Sequence, residues 1–114
     1  MSVHNFLANL QGALKRFTLT KTATATLTNE EVINNLVIYG NHASAAIAFT
    51  LPAAGAANDG CINFIVNQAA AVVTVVVTAG FGAGNDTLTL AAGEMALIFS
   101  NGSYWYELHN EPAA

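Results

Sequence analysis

Three histidines, one cysteine and a glycine cluster are the residues of this chain with chemistry to offer. His4, His42 and His109 fall in a terminal arm, a loop and a terminal strand, and none stands at the short spacing from a histidine, cysteine or carboxylate that a zinc site shows. Each reads as a surface histidine. Nucleophilic catalysis would need Ser44 or Cys61 brought to a histidine and an orienting acid, and no nucleophile elbow or related pattern surrounds either. Cys61 opens an apolar run, CINFIV, where a buried, inert thiol is expected. The acid pair Glu30-Glu31 lies in a predicted turn, TNEEV, where acids serve solvation or the charge of a helix N-terminus rather than acid–base work. The expectation is a protein with no catalytic residue, no cofactor and no metal site.

The glycine cluster GFGAGND invites three further tests. A dinucleotide fingerprint needs G-x-G-x-x-G between a strand and a helix; Gly80, Gly82 and Gly84 follow G-x-G-x-G, and the next segment, DTLTLAAG, alternates like a strand. A Walker loop needs a Lys-Ser/Thr pair, and every lysine lies far upstream. The stretch FGAGNDTLT matches one copy of the calcium-binding nonapeptide G-G-x-G-x-D-x-U-x, with Phe81 in place of the first glycine. That motif works by stacking tandem copies, and a single copy with one carboxylate, Asp86, supplies too few oxygens. A plain glycine-rich turn between strands is expected.

Tyr104, Trp105 and Tyr106 could form a sugar-binding platform. Alternation along a strand puts Trp105 on one face and both tyrosines on the other, so Trp105 is expected in the core and the tyrosines at a rim or interface.

The elements that hold these residues are predicted by periodicity. Phe6, Leu7, Leu10, Leu14 and Phe17 recur at offsets of three, four or seven, the spacing of a short amphipathic helix or arm. From Phe17 the period becomes two, in FTLTKTATATLT, and further strand candidates follow in NLVIYG, AAIAFTLP, CINFIVN, VVTVVVT, DTLTL, EMALIFS and SYWYEL. Asn101-Gly102 predicts a tight type I′ hairpin between the last two. Pro52 ends its strand for want of an N–H donor, and 53–59 is a loop of small residues. The expected fold is all-β, a β-sandwich or jelly-roll-like barrel of about eight short strands. Its organisation is an N-terminal arm or helix (1–16), one β domain (17–110) and a frayed C-terminal tail (111–114). No internal repeat is evident.

Composition bounds the function. Of 114 residues 54% are hydrophobic and only 9% charged, and the net charge is −4. A typical soluble domain has about 25% charged residues. The three basic residues, Lys15, Arg16 and Lys21, make no field for nucleic-acid phosphates, so no nucleic-acid partner is expected. The N-terminus lacks the basic-then-apolar order of a signal peptide. The most apolar span, 69–84, is interrupted by Thr74, Thr78, Gly80 and Gly82, so no membrane partner is expected either. A small surface this poor in charge favours association with protein. The valine strand adds to this: Val73, Val75 and Val77 face one way, while Val72 and Val76 flank Thr74 on the other, and one face alone can meet the chain's own core.

The succession AFTLPAAGAANDG, CINFIVNQAA and LTLAAGEMALIFSNGSYWYEL resembles modules in structural proteins of tailed-phage virions, both head decoration proteins and tail fibres. The residues that carry the likeness are Phe49, Leu51 and Pro52; Gly60, Phe64 and Asn67; and Gly93, Glu94, Gly102 and Trp105. The resemblance implies a β-sandwich that trimerises. Because the chain is this module plus a short arm, without shaft repeats, it implies a capsid decoration (cement) protein made in the host cytoplasm and placed on the virion surface. Its expected partners are copies of itself and the major capsid protein or another virion protein. The alternative is a tail-fibre or receptor-binding module contacting host-surface glycan. The residues expected at interfaces are Phe6, Leu10, Leu14, Val72, Val76, Phe81, Tyr104 and Tyr106.

Overall fold

Period-two alternation becomes nine short strands in the computed structural model of the protein, which describes residues 17–69, 71–77, 80–82, 84 and 87–109. The strands are β1 (Thr18–Lys21), β2 (Ala25–Thr26), β3 (Val37–Gly40), β4 (Ile47–Thr50), β5 (Ile62–Asn67), β6 (Val73–Val76), β7 (Thr87–Leu90), β8 (Met95–Ser100) and β9 (Trp105–His109), with one helix, α1 (Asn29–Asn34), after β2. The N-terminal arm 1–16 and the tail 111–114 lie outside the described residues.

The chain alternates between two sheets. β1, β3 and β5 enter a five-stranded sheet of order β1-β3-β5-β8-β9, while β2, β4 and β6 enter a four-stranded sheet of order β2-β4-β6-β7. Each circuit therefore lays one strand in each sheet, parallel to the strand of the circuit before. After β6 the direction reverses: β7 pairs antiparallel with β6, β8 with β5, and β9 with β8.

This corrects the expected architecture. The structure has two open sheets, one five-stranded and one four-stranded, and not the β-sandwich or jelly-roll-like barrel expected; antiparallel pairing between consecutive strands begins only at β6. Alternation and turn residues identify strands but do not say which strands pair, and a coil of parallel strands contains few hairpin turns to read. FTLTKTATATLT is two strands in two different sheets, not one. Because the circuit from Thr18 to Val37 is shorter than that from Val37 to Phe64, the coil leaves no fixed period in the sequence.

One core lies between the sheets. Ile38, Ile65, Ile98 and Trp105 of the five-stranded sheet pack in the same cluster as Phe49, Val73, Val75, Leu88 and Leu90 of the other. The sheets touch closely at Gly40, where a Cβ would stand 2.7 Å from Val73 Cγ2 and 3.3 Å from the Phe49 ring. The Trp105 indole N–H donates to the Pro52 carbonyl at 2.7 Å, which ties β9 to the chain leaving β4. Trp105 is thus buried, as its alternation with the tyrosines predicts.

The TNEEV segment begins α1. Thr28 is the N-cap, with its hydroxyl accepting from the Glu31 N–H and the Glu31 carboxylate accepting from the Thr28 N–H, both at 3.0 Å. Glu31 also meets Lys21 Nζ at 2.7 Å, fastening the helix to the end of β1.

The Asn-Gly hairpin forms, one residue out of the expected frame. The Asn101 N–H donates to the Tyr104 carbonyl at 3.1 Å, so Gly102 and Ser103 occupy the central positions. Gly102 has φ 87°, in the left-handed region that glycine enters without strain. The Asn101 side chain accepts from the N–H groups of Ser103 and Tyr104 instead, at 3.0 and 2.9 Å.

Candidate functional site

Among the described residues, the side chains with chemistry are engaged locally; His4 and the His109 side chain lie outside them. His42 Nδ1 accepts from the backbone N–H groups of Ser44 and Ala45, at 3.2 and 2.9 Å, closing the loop between β3 and β4. Cys61 is half-buried with its thiol against the Val32 carbonyl, and burial pushes its pKa up, away from the reactive thiolate. Glu31 is held below the usual carboxylate range, first by the hydrogen bond from Lys21 and then by the Thr28 N–H, which makes it a structural anion. Among the described residues no three of His, Cys, Asp and Glu gather where they could hold a metal. No helix among them is long and apolar enough to cross a membrane.

The glycine cluster, as far as it is described, is a turn against β9. Gly84 N–H donates to the Phe81 carbonyl and Gly82 N–H to the Trp105 carbonyl, at 2.7 and 2.8 Å. Phe81 bridges Trp105 in parallel and is only 8% exposed, so this expected interface residue belongs to the chain's own core. Asp86, the lone carboxylate of the calcium reading, lies outside the described residues, as do Phe6, Leu10 and Leu14.

What remains is a surface. In β5 the buried positions are Asn63, Ile65 and Asn67, which leaves Ile62, Phe64 and Val66 facing outward. Both asparagines are inside with Ile65, and three apolar residues are outside, against ordinary strand patterning. The asparagines can be buried because their amide N–H groups serve as internal clamps, with Asn63 Oδ1 left without a hydrogen-bond partner. Asn63 Nδ2 donates to the carbonyls of Val32 and Asn35 at 2.8 and 2.6 Å, and Asn67 Nδ2 donates to those of Ala71 and Leu90 at 2.6 and 3.0 Å.

Cross-strand register extends that outward apolar set over most of the five-stranded sheet. One row runs Val37, Phe64, Leu97, Leu108; a second runs Tyr39, Val66, Met95; a third runs Ile62, Phe99, Tyr106. No charged side chain interrupts these rows. Exposure is greatest on the strands far from β1: Leu108 is 70% exposed and Ile62 53%, whereas Val37 and Tyr39 are half-buried. Phe99 and Tyr106 stack with ring centroids 5.3 Å apart, and Tyr104 meets Tyr106 edge-on at 6.4 Å. The two tyrosines therefore sit on the apolar patch but do not make a flat platform of parallel rings.

The outer face of the other sheet has the opposite character. Its rows are Thr26, Thr50, Val76, Thr87 and Ala48, Thr74, Thr89. Val72 and Val76, expected at an interface, do point away from the core, but Val76 and its neighbours form a face of threonine hydroxyls and methyls. Of the residues expected at interfaces, Tyr104 and Tyr106 lie on this apolar face; Ile62, Phe64, Met95, Leu97, Phe99 and Leu108, which share it, were not among those expected. The signal was the apolar character of INFIV and MALIFS at both strand parities, the same kind of pattern read from the valine strand alone.

Comparison of the chain with family models, with curated proteins and with solved structures gives no match.

Proposed function

We propose that this protein is structural and acts by binding alone: it assembles with copies of itself, as a homotrimer, and attaches to a virion surface as a decoration (cement) protein held by the major capsid protein. The observation that carries the reading is the uncharged apolar lattice on the outside of the five-stranded sheet. A patch of this kind, on a chain with so few charges elsewhere, is a protein-binding surface or an aggregation hazard. The resemblance of its strand and turn motifs to phage head modules supplies the setting. In that role each bound copy adds contacts that exist only in the assembled shell, so mass action stabilises the shell against opening.

Two measurements test it. Native mass determination of the isolated protein is expected to give a trimer. Removal of the protein from purified particles is expected to lower the temperature at which the particles disrupt; an unchanged temperature rejects the cement role. The tail-fibre alternative draws on the exposed Tyr104, Tyr106 and Phe99 group, and binding of the protein on a glycan array would favour it over decoration.

A further inference from the structure

We propose that Asn101 is a site of spontaneous, one-way modification: the main-chain nitrogen of Gly102 attacks its side-chain amide to give a succinimide, which water opens to aspartate or isoaspartate. This chemistry is independent of whether the chain assembles.

The first condition is set by residue type. Attack of a main-chain nitrogen on the side-chain amide before it is slowed by any side chain on the attacking residue, and Asn101 is the one asparagine of the chain followed by glycine. Asn58, Asn63 and Asn67 are buried, with their amides committed to partners inside the molecule. Asn29 and Asn41 are exposed but precede Glu30 and His42. Asn101 is exposed, at the tip of the hairpin between β8 and β9.

The hairpin then arranges the reacting groups. Asn101 Oδ1 accepts from the N–H groups of Ser103 and Tyr104 at 3.0 and 2.9 Å, which folds the side chain over the Gly102 peptide group between them. Two main-chain donors therefore point at the oxygen on which negative charge develops when the amide carbon becomes tetrahedral. Such donors bind an oxyanion more strongly than a neutral carbonyl. The Gly102 N–H, whose proton must leave, faces Ser100 Oγ at 3.2 Å, and Ser100 gives its own proton to Asn58 Oδ1 at 2.7 Å. A lone pair of Ser100 is thus turned to the departing proton, and nucleophile and electrophile are held in one short turn.

No electron is gained or lost overall. Hydroxide from solvent takes the Gly102 amide proton, the nitrogen bonds to Asn101 Cγ, and the charge passes to Oδ1. The Cγ–Nδ2 bond then breaks, and the departing nitrogen takes a proton from water and leaves as ammonia. Water adding at Cγ reopens the ring to aspartate; water adding at the main-chain carbonyl carbon opens it to isoaspartate. Either product adds a negative charge near Asp59, whose Cγ stands 3.0 Å from where a Cβ on Gly102 would lie. Aspartate keeps an acceptor for the Ser103 and Tyr104 N–H groups, now charge-assisted. Isoaspartate instead lengthens the main chain by one atom inside the turn that the Asn101 N–H closes on the Tyr104 carbonyl.

The test keeps the folded, full-length protein in mildly alkaline buffer beside a second sample in urea, and follows the peptides of each by mass spectrometry. In the folded sample, exchange of amide for acid is expected at Asn101 ahead of every other asparagine, at a rate proportional to hydroxide concentration, with isoaspartate among the products. The proposal is overturned if Asn101 stays intact in the folded protein over the time in which the urea sample converts, or if another asparagine converts first. Aspartate without isoaspartate would mean direct hydrolysis by water and would reject attack by Gly102. An Asn101→Asp protein is expected to melt with the parent, and the isoaspartate fraction isolated from aged protein to melt lower; equal melting of the two would reject the lengthened turn as a disturbance of the hairpin.

Discussion

Asn58 shows what single residues do in this molecule. It is buried in the loop after β4, and its amide reaches four partners: Nδ2 donates to Asn29 Oδ1 and the Ala53 carbonyl, while Oδ1 accepts from the Gly55 N–H and the Ser100 hydroxyl. One side chain thereby joins the start of α1, the loop and the end of β8. Asn58→Ala leaves several buried groups unpaired and is expected to cost about 2–3 kcal/mol in urea unfolding. Ser100→Ala removes one of the same bonds, so the two changes together should cost less than their sum. Glu31 makes a pH-dependent contribution. Its folded pKa lies below the ordinary value of 4.5, so the stability it adds is complete above that value and is lost as pH falls through the folded one. Glu31→Gln should therefore be less stable than the parent at neutral pH, with the gap closing in acid; thermal unfolding across that range measures it.

At the scale of elements, the last hairpin depends on one glycine. Gly102 at φ 87° would bring a Cβ to 3.0 Å from Asp59 Cγ, so Gly102→Ala combines left-handed strain with a tight contact that the exposed Asp59 side chain must relieve. A loss of about 1–2 kcal/mol is expected from the strain alone, read as a lowered midpoint in urea with an unchanged slope. The existence of that hairpin was legible in the sequence because its signal is local; its frame was not, since Gly102 and Ser103 rather than Asn101 and Gly102 are central. Trp105 inside and Tyr106 outside were legible for the same reason, since period two along a strand needs no knowledge of its neighbours. The pairing was not. Thr18 finds Val37, and Val37 finds Phe64, across connections far longer than a hairpin turn, and the turn residues within them do not say which strands pair. The apolar outer face was hidden by an inversion: Asn63 and Asn67 look like solvent positions until Val32, Asn35, Ala71 and Leu90 are seen to offer their carbonyls to them. A polar residue in a strand marks the wet side only when nothing inside can satisfy it.

The whole molecule has two unlike outer faces, and this gives the assembly reading its sharpest test. Leu108→Lys puts a charge on the apolar lattice, and Thr89→Lys puts the same charge on the threonine face. Both positions are exposed, Leu108 at 70%, so neither substitution should change the folding of an isolated chain by more than about 0.5 kcal/mol. Their effects diverge only if one face is covered in the assembled protein. A buried lysine without a partner loses hydration that the interface cannot return, so Leu108→Lys is expected to reduce the native mass to that of one chain while Thr89→Lys leaves it unchanged. Association also links stability to concentration: the parent and Thr89→Lys should melt at higher temperature as protein concentration rises, and Leu108→Lys should not. Equal behaviour of the two variants would mean that the two faces do not differ in what they bind, and the apolar lattice would lose its role as the contact between copies.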